Sequence, residues 1–195
     1  MRYNSFFKST DATMAMRLKL LRKHKGWTLE QLAEKSGLTK SYLSKVERGL
    51  SVPSIAVALK LSHAMQVDVE QLFSDSHRQA AVTITRAGDP ASAGAMPPLP
   101  HFASIAAGVA PKKMLPFMVY PAADFAASAF KEHAGEEFLF VHQGTIEIEF
   151  PQETVQLHTG DSVYFNALIP HRTRSIGAQQ AQLLVIVSND EDAAP

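Results

Sequence analysis

The 195-residue chain contains no cysteine. That excludes a disulfide framework, a cysteine nucleophile and any thiolate metal site. Long apolar runs are missing too. The longest aliphatic stretch, Leu183 to Val187, is five residues, against about 20 for a membrane-spanning helix. The start, Met1-Arg-Tyr-Asn-Ser-Phe-Phe-Lys8, lacks the apolar core of a secretory leader. A soluble, cytoplasmic protein with no membrane partner is the expectation. With 46% hydrophobic and 19% charged residues the chain can bury a core and is not disordered overall. No internal repeat is visible.

There is also no net charge, but the zero hides a split. Residues 1–75 hold 12 Lys and Arg against 7 Asp and Glu; residues 76–195 hold 7 against 12. Six of the eight histidines (77, 101, 133, 142, 158 and 171) fall in the second part. The first part is rich in Leu, Lys and Glu at helical spacing. The second is rich in Val, Ile, Phe, Thr and Gly in near-alternating runs. A basic helical unit over 1–75 (core about 16–73), a polar linker at 76–80 and an acidic β unit over 81–195 follow. A stretch rich in Ala, Pro and Gly, 88–100, reads as a long loop within the β unit.

In the helical part, a first helix is expected over 12–25, with Leu18 and Leu21 buried and Gly26 ending it. Thr28 with Gln31 three residues on forms a capping box, which starts a second helix over 29–35. Gly37 supplies a tight turn, and Thr39 caps a third helix that stops near Gly49. At about 100° per residue, Leu43, Val46 and Leu50 share one arc of that helix. Ser41, Lys45 and Arg48 take the opposite arc, with Tyr42 and Ser44 at its edges. Two short helices, a glycine turn and a cationic outer face make a helix-turn-helix, whose second helix enters the major groove of duplex DNA. The capped N-termini at Thr28 and Thr39 offer free amides to phosphates.

The segment from Leu18 to Phe73 resembles the Cro/C1-type, or XRE-family, helix-turn-helix domain. The matching residues are Leu21-Arg22, Thr28-Leu-Glu-Gln-Leu-Ala-Glu-Lys-Ser-Gly-Leu-Thr39 and Leu43-Ser-Lys-Val-Glu-Arg-Gly49. Pro53-Ser54 and Leu72-Phe73 match as well. The resemblance implies a lambda-repressor-like bundle of five helices. It implies base contacts from Lys40, Ser41 and Lys45, phosphate contacts near Thr28, Thr39 and Ser51, and a structural ion pair between Arg22 and Glu47.

In the β part, strands are expected near 81–86, 102–107, 114–120, 124–132, 136–142, 145–150, 154–157, 162–166, 171–176 and 182–188. Gly144-Thr145 reads as a hairpin turn and Gly160-Asp161 as another turn. Many short strands at this spacing indicate a sandwich or barrel. Within it, Lys131, His133 and Glu137 alternate onto one face if the chain is extended, with Gly135 leaving room. His171 lies far downstream. Two histidines and a glutamate suit a borderline divalent metal with open positions. Two other readings stand beside that one, a metal-free effector pocket and buried structural polar groups. Lys131 itself is either the partner of Glu137 or of a bound carboxylate or phosphate, or a solvent-facing side chain without a role. His142 reads as a surface or subunit-contact residue.

These two stretches, 133–144 and 160–171, resemble the two motifs of the cupin fold, and 78–190 fit one cupin domain. His133 matches the second histidine of the first motif, Glu137 its glutamate and His171 the histidine of the second. Lys131 stands where the first histidine is usual, and Asn166, Leu168 and Ser175 replace the usual Pro, Gly and Asn. The order of the two domains resembles a family of bacterial transcriptional regulators. It implies an α+β chain of two domains, an all-α bundle followed by an all-β cupin (double-stranded β-helix, jelly-roll) barrel. It implies a homodimer through the cupin domain on a pseudo-palindromic operator, and a small-molecule effector or a divalent metal (Zn, Ni, Fe or Mn) that modulates DNA binding, with no catalysis. The alternatives are a cupin-type metal-dependent isomerase or dioxygenase fused to a DNA-binding head, and an antitoxin-like DNA-binding protein.

Overall fold

In a computed structural model, residues 9–73, 82–86, 101–106, 112–125 and 128–188 are described. The expected linker at 76–80 and loop at 88–100 lie outside them. The chain divides into two compact units, Met1–Gln79 and Ala80–Pro195.

Among its described residues, the first unit holds four α-helices: α1 (Ser9–His24), α2 (Leu29–Ser36), α3 (Lys40–Glu47) and α4 (Ile55–Met65). The fifth helix expected from the resemblance is a short 3-10 turn, Val69–Leu72, so the five-helix count is corrected to four plus that turn. The starts of α2, α3 and α4 follow from their caps. Thr28 accepts from Gln31 N at 3.2 Å while Gln31 Oε1 accepts from Thr28 N at 2.8 Å, which closes the capping box. Thr39 accepts from Tyr42 N and Ser54 from Val57 N. Each such cap contributes roughly 1 kcal/mol. Gly37 ends α2 in the left-handed region at φ 67°, where a β-carbon is disfavoured. Leu18, Leu32, Leu43, Leu61, Met65 and Leu72 are fully buried and form the core. Leu50 does not join them. It is 66% exposed, because α3 stops at Glu47 and Gly49 takes a φ of 67°. The helical phase that would carry Leu50 inward is broken before it. Leu21 is only half-buried.

The second unit holds β1 (His101–Ser104), β2 (Met114–Tyr120), β3 (Glu136–Gln143), β4 (Thr145–Glu149), β5 (Thr154–His158), β6 (Ser162–Asn166), β7 (Arg172–Ile176) and β8 (Gln182–Ser188). They form a five-stranded sheet in the order β1-β2-β8-β3-β6 and a three-stranded sheet in the order β5-β4-β7. All strand pairs are antiparallel. One face of each sheet is apolar and buried: Leu115 and Phe117, Leu139 and Val141, Leu183, Val185 and Val187 on the large sheet, Ile146 and Ile148 on the small one. Alternation along the strand puts these side chains on one side, and two such faces make the core of a jelly roll.

Three expectations are corrected. Residues 82–86 form no strand, although Thr85 Oγ1 accepts from Ala106 N. The stretch 124–132 is not a strand over its described part. Its Phe125 and Phe130 rings stack on Arg172 (4.5 and 4.6 Å) instead of alternating into a ladder. Gly144 is not a hairpin turn, because β3 and β4 belong to different sheets. It is the corner where the chain changes sheet, at φ 82°, and an added β-carbon would lie 2.9 Å from Ala181 Cα. Gly160 does the same between β5 and β6.

Candidate nucleic-acid interface and effector cup

On α3, Ser41, Lys45 and Arg48 are exposed, as the angular argument expects, while Leu43 and Val46 anchor the other side. Arg48 Nε donates to Ser44 O at 3.0 Å, which keeps its guanidinium along the helix end. Ser44 is half-buried, and so is Tyr42. Burial pushes the Tyr42 phenol above its ordinary value, and a hydrogen bond with Ser51 works against that. Tyr42 therefore ties the Ser51 loop to α3. Lys40 is exposed but already engaged, forming an ion pair with Glu30 in the first turn of α2. Sequence reasoning missed Glu30. Its position beside the capped end of α2, across the turn from Lys40, was the available signal. Thr28 and Thr39 use their hydroxyl oxygens as acceptors for caps, and each retains a proton to donate outward.

Behind this face, Arg22 and Glu47 form the expected ion pair. Arg22 Nε and Nη2 donate to the two Glu47 oxygens at 2.6 and 2.9 Å, and Nη1 donates to Trp27 O at 2.7 Å. The bidentate pair joins α1 to the end of α3. Both side chains are nearly buried, and all the charge is matched.

In the barrel, Lys131, His133, Glu137 and His171 come together through backbone pairing. Lys131 and His171 form an isolated antiparallel bridge with both hydrogen bonds made, 2.8 and 3.0 Å. His133 N donates to Ala167 O, and Ala167 N donates to Gly135 O. Gly135, at φ 92°, turns the chain so that Glu137, on an inward position of β3, faces both rings. Glu137 Oε2 lies 3.0 Å from His171 Nε2 and 3.4 Å from His133 Nε2. Sequence parity alone did not show that His133 and Glu137 stay together across this glycine. Phe165, opposite Glu137 in the β3–β6 register, packs edge-on to His171 at 4.7 Å. It was not singled out from sequence, though its inward alternation within the second cupin stretch was visible.

The tautomers follow from geometry. His133 Nδ1 lies 2.9 Å from Ala134 O and His171 Nδ1 lies 2.9 Å from Ile169 O. A carbonyl only accepts, so each Nδ1 carries the proton. Both Nε2 atoms are then aimed at one carboxylate oxygen, and that oxygen makes no well-formed hydrogen bond. Burial pushes the Glu137 carboxyl up, but the two imidazoles outweigh it and hold it at about 2. Burial lowers His133, while Glu137 more than compensates and raises it. Lys131 is pushed down by burial, with Glu137 opposing. With each Nδ1 tied to a carbonyl, the two Nε2 edges converge on one carboxylate oxygen: protonated, they donate to it; deprotonated, the two nitrogens and the oxygen are a donor set that suits a divalent cation. Among the described residues, however, no group of three or more His, Asp and Glu side chains stands in a ready-made metal geometry.

His142 is exposed, beside a register shift in β3 between Val141 and Gln143. Asn166 Oδ1 accepts from Leu168 N and Ser175 Oγ from Ala181 N, so these departures from the family pattern serve local turns.

A bundle with an outward cationic helix and a β barrel with a polar cup define a helix-turn-helix protein carrying a cupin. Comparison with known proteins agrees. A helix-turn-helix family model matches residues 18–72, and a cupin domain model matches 117–187. The HTH-type transcriptional regulator SinR of Bacillus subtilis is 45% identical over 65 residues, 33% of this chain and 59% of that protein. SlrR of the same organism is 46% identical over 57 residues, covering 29% and 38%. The chain thus spans less than two thirds of the length of either relative. The uncharacterized HTH-type regulator YgzD, also of B. subtilis, is 35% identical, with 31% of this chain covering 91% of it. A crystal structure of an HTH_3 family transcriptional regulator from Vibrio cholerae aligns at TM-score 0.61 and 20% identity, over 92% of this chain and 96% of that one. The chain belongs to the XRE-type helix-turn-helix transcriptional regulators, with a cupin domain following the helix-turn-helix unit in the sequence.

Proposed function

We propose that this chain is a sequence-specific DNA-binding transcription regulator whose cupin unit binds a small effector, with a divalent metal at His133, Glu137 and His171. The observation that carries the reading is α3: anchored by Leu43 and Val46, capped by Thr39, and presenting Ser41, Lys45 and Arg48 outward. Ser41 and Lys45 read base edges in the major groove, worth about 1–3 kcal/mol for each well-placed contact. Lys40 exchanges Glu30 for a base or phosphate. Thr28, Thr39, Tyr42, Ser44, Arg48 and Ser51 fix the register on the backbone.

One recognition helix reads one half-site, so the functional unit is a symmetric homodimer on a pseudo-palindromic operator. A second copy would seat on the outward face of the large sheet. Pro116, Ile186 and Phe138 lie side by side there in one cross-strand row, and Met118, Leu184 and Phe140 in the next. The metal would supply Lewis acidity and open coordination positions for the effector. Repression of promoters overlapping the operator, in a bacterial cytoplasm, is the simplest output. A cupin-type enzyme reading draws on the same open positions; a turnover screen of the metal-loaded protein separates it from a sensor.

The test is footprinting with and without added zinc. The parent protects paired half-sites about one helical turn, or a multiple, apart. His133→Ala and Glu137→Ala keep that protection but lose its response to metal. If both variants respond as the parent does, the sensor lies elsewhere.

A further inference from the structure

Lys131 and His171 are directly opposed in a hydrogen-bonded antiparallel bridge. Opposed residues send their side chains to the same face. His171 points inward to Glu137, so Lys131 points inward as well. The lysine makes no side-chain hydrogen bond or close ion pair among the described residues; Glu137 is the opposite charge that acts on it. Yet that carboxylate is already faced by two imidazoles at 3.0 and 3.4 Å. The hydroxyl of Thr173, buried and two residues beyond His171 on the same face, makes no side-chain hydrogen bond among the described residues either.

The cup therefore holds two inward donors, the Lys131 amine and the Thr173 hydroxyl, with no acceptor given to either among the described residues. The one carboxylate on that face, Glu137, is turned to the two imidazole edges. Inward polar groups call for a partner, and an acceptor brought in by a ligand supplies it.

We propose that the cup's ligand is a small oxyanion, a carboxylate or phosphate, with Lys131 as its counter-ion and the Thr173 hydroxyl as a donor. This rests on reading the cup as an effector site. Lys131, in place of a fourth ligand, sets ligand class: acids enter and neutral isosteres of the same shape do not. Charge-assisted bonds to such an anion are the strong kind, and they are specific in geometry.

The experiment uses the full chain, metal-stripped and zinc-loaded, with oxalate and its neutral isostere oxamide, and with inorganic phosphate. Binding is followed by the thermal midpoint and by the imidazole NMR resonances of His133 and His171. Oxalate or phosphate should raise the midpoint and shift both resonances, and oxamide should do neither. Whichever anion binds best tells carboxylate from phosphate. Lys131→Met should weaken anion binding at least tenfold, and Lys131→Arg should restore most of it. Equal anion affinity in Lys131→Met, equal binding of oxamide, or no anion binding by the parent overturns the inference. Operator binding by the parent is measured alongside. A parent that grips its operator but ignores both anions overturns this inference alone. A parent that takes up oxalate through Lys131 yet prefers no duplex overturns the regulator reading alone.

Discussion

Two nearly buried ionic clusters stand among the described residues, one in each unit, and they are built on opposite plans. In the helical unit, both Glu47 oxygens meet Arg22 nitrogens and the third guanidinium nitrogen donates to Trp27 O. Every nitrogen and oxygen of the pair has a partner, and the cluster's work is to hold α1 against α3. In the barrel, Glu137 Oε2 faces two imidazole Nε2 atoms without a proper hydrogen bond, and the Lys131 side chain on the same face makes no hydrogen bond among the described residues. A closed cluster belongs to the fold. An open one stores unsatisfied chemistry that a ligand completes, which is the local inconsistency expected of a functional site.

The contrast can be broken by substitution. The largest effect is expected from Glu47→Ala, which strands the Arg22 charge. Helical-unit stability should fall by about 3–5 kcal/mol. Chemical denaturation followed through Trp27, the single tryptophan, checks this, and a loss below about 1 kcal/mol would deny the pair its structural role. Next is Gly144→Ala at the sheet corner. A left-handed non-glycine residue costs about 1–3 kcal/mol, and the 2.9 Å approach to Ala181 Cα adds to it. Calorimetry should show the barrel transition lowered and the helical one unmoved. Opening the closed cluster should not create a site, whereas filling the open one should stabilise: zinc should raise the barrel's midpoint in the parent and leave it unchanged in His133→Ala. The smallest effect is expected from Glu30→Gln, which frees Lys40. The denaturation midpoint should stay put, because exposed ion pairs contribute little. DNA affinity should rise modestly at low salt as a negative charge leaves the interface; weaker binding would mean that Glu30 positions Lys40 for contact.

The same contrast explains what was legible in the sequence. The helical unit is specified by local signals. Thr28 with Gln31, Thr39 and Gly37 act within a few residues of themselves, so helix starts and the turn could be read directly. Leu50 was misassigned because angular phase was carried past Gly49, where the helix had ended. The barrel depends on non-local pairing. A glycine between two alternating runs looks the same whether it closes a hairpin or turns a corner between sheets, and Gly144 does the latter. Residues 124–132 carry strand-like aromatics, but Phe125 and Phe130 are spent on Arg172, more than 40 positions away. His133, Glu137 and His171 were legible as residue types at suggestive spacing. Their convergence was not, because it depends on the bridge between Lys131 and His171 and on the turn at Gly135.

Whether the outward face of α3 reads duplex sequence is tested most directly by selection of genomic fragments with the parent and with the Ser41→Ala, Lys45→Ala double variant. The parent should enrich a common pseudo-palindromic element, and the double variant, folded as judged by Trp27 fluorescence, should enrich none. Enrichment of the same element by both proteins would contradict sequence reading by that face.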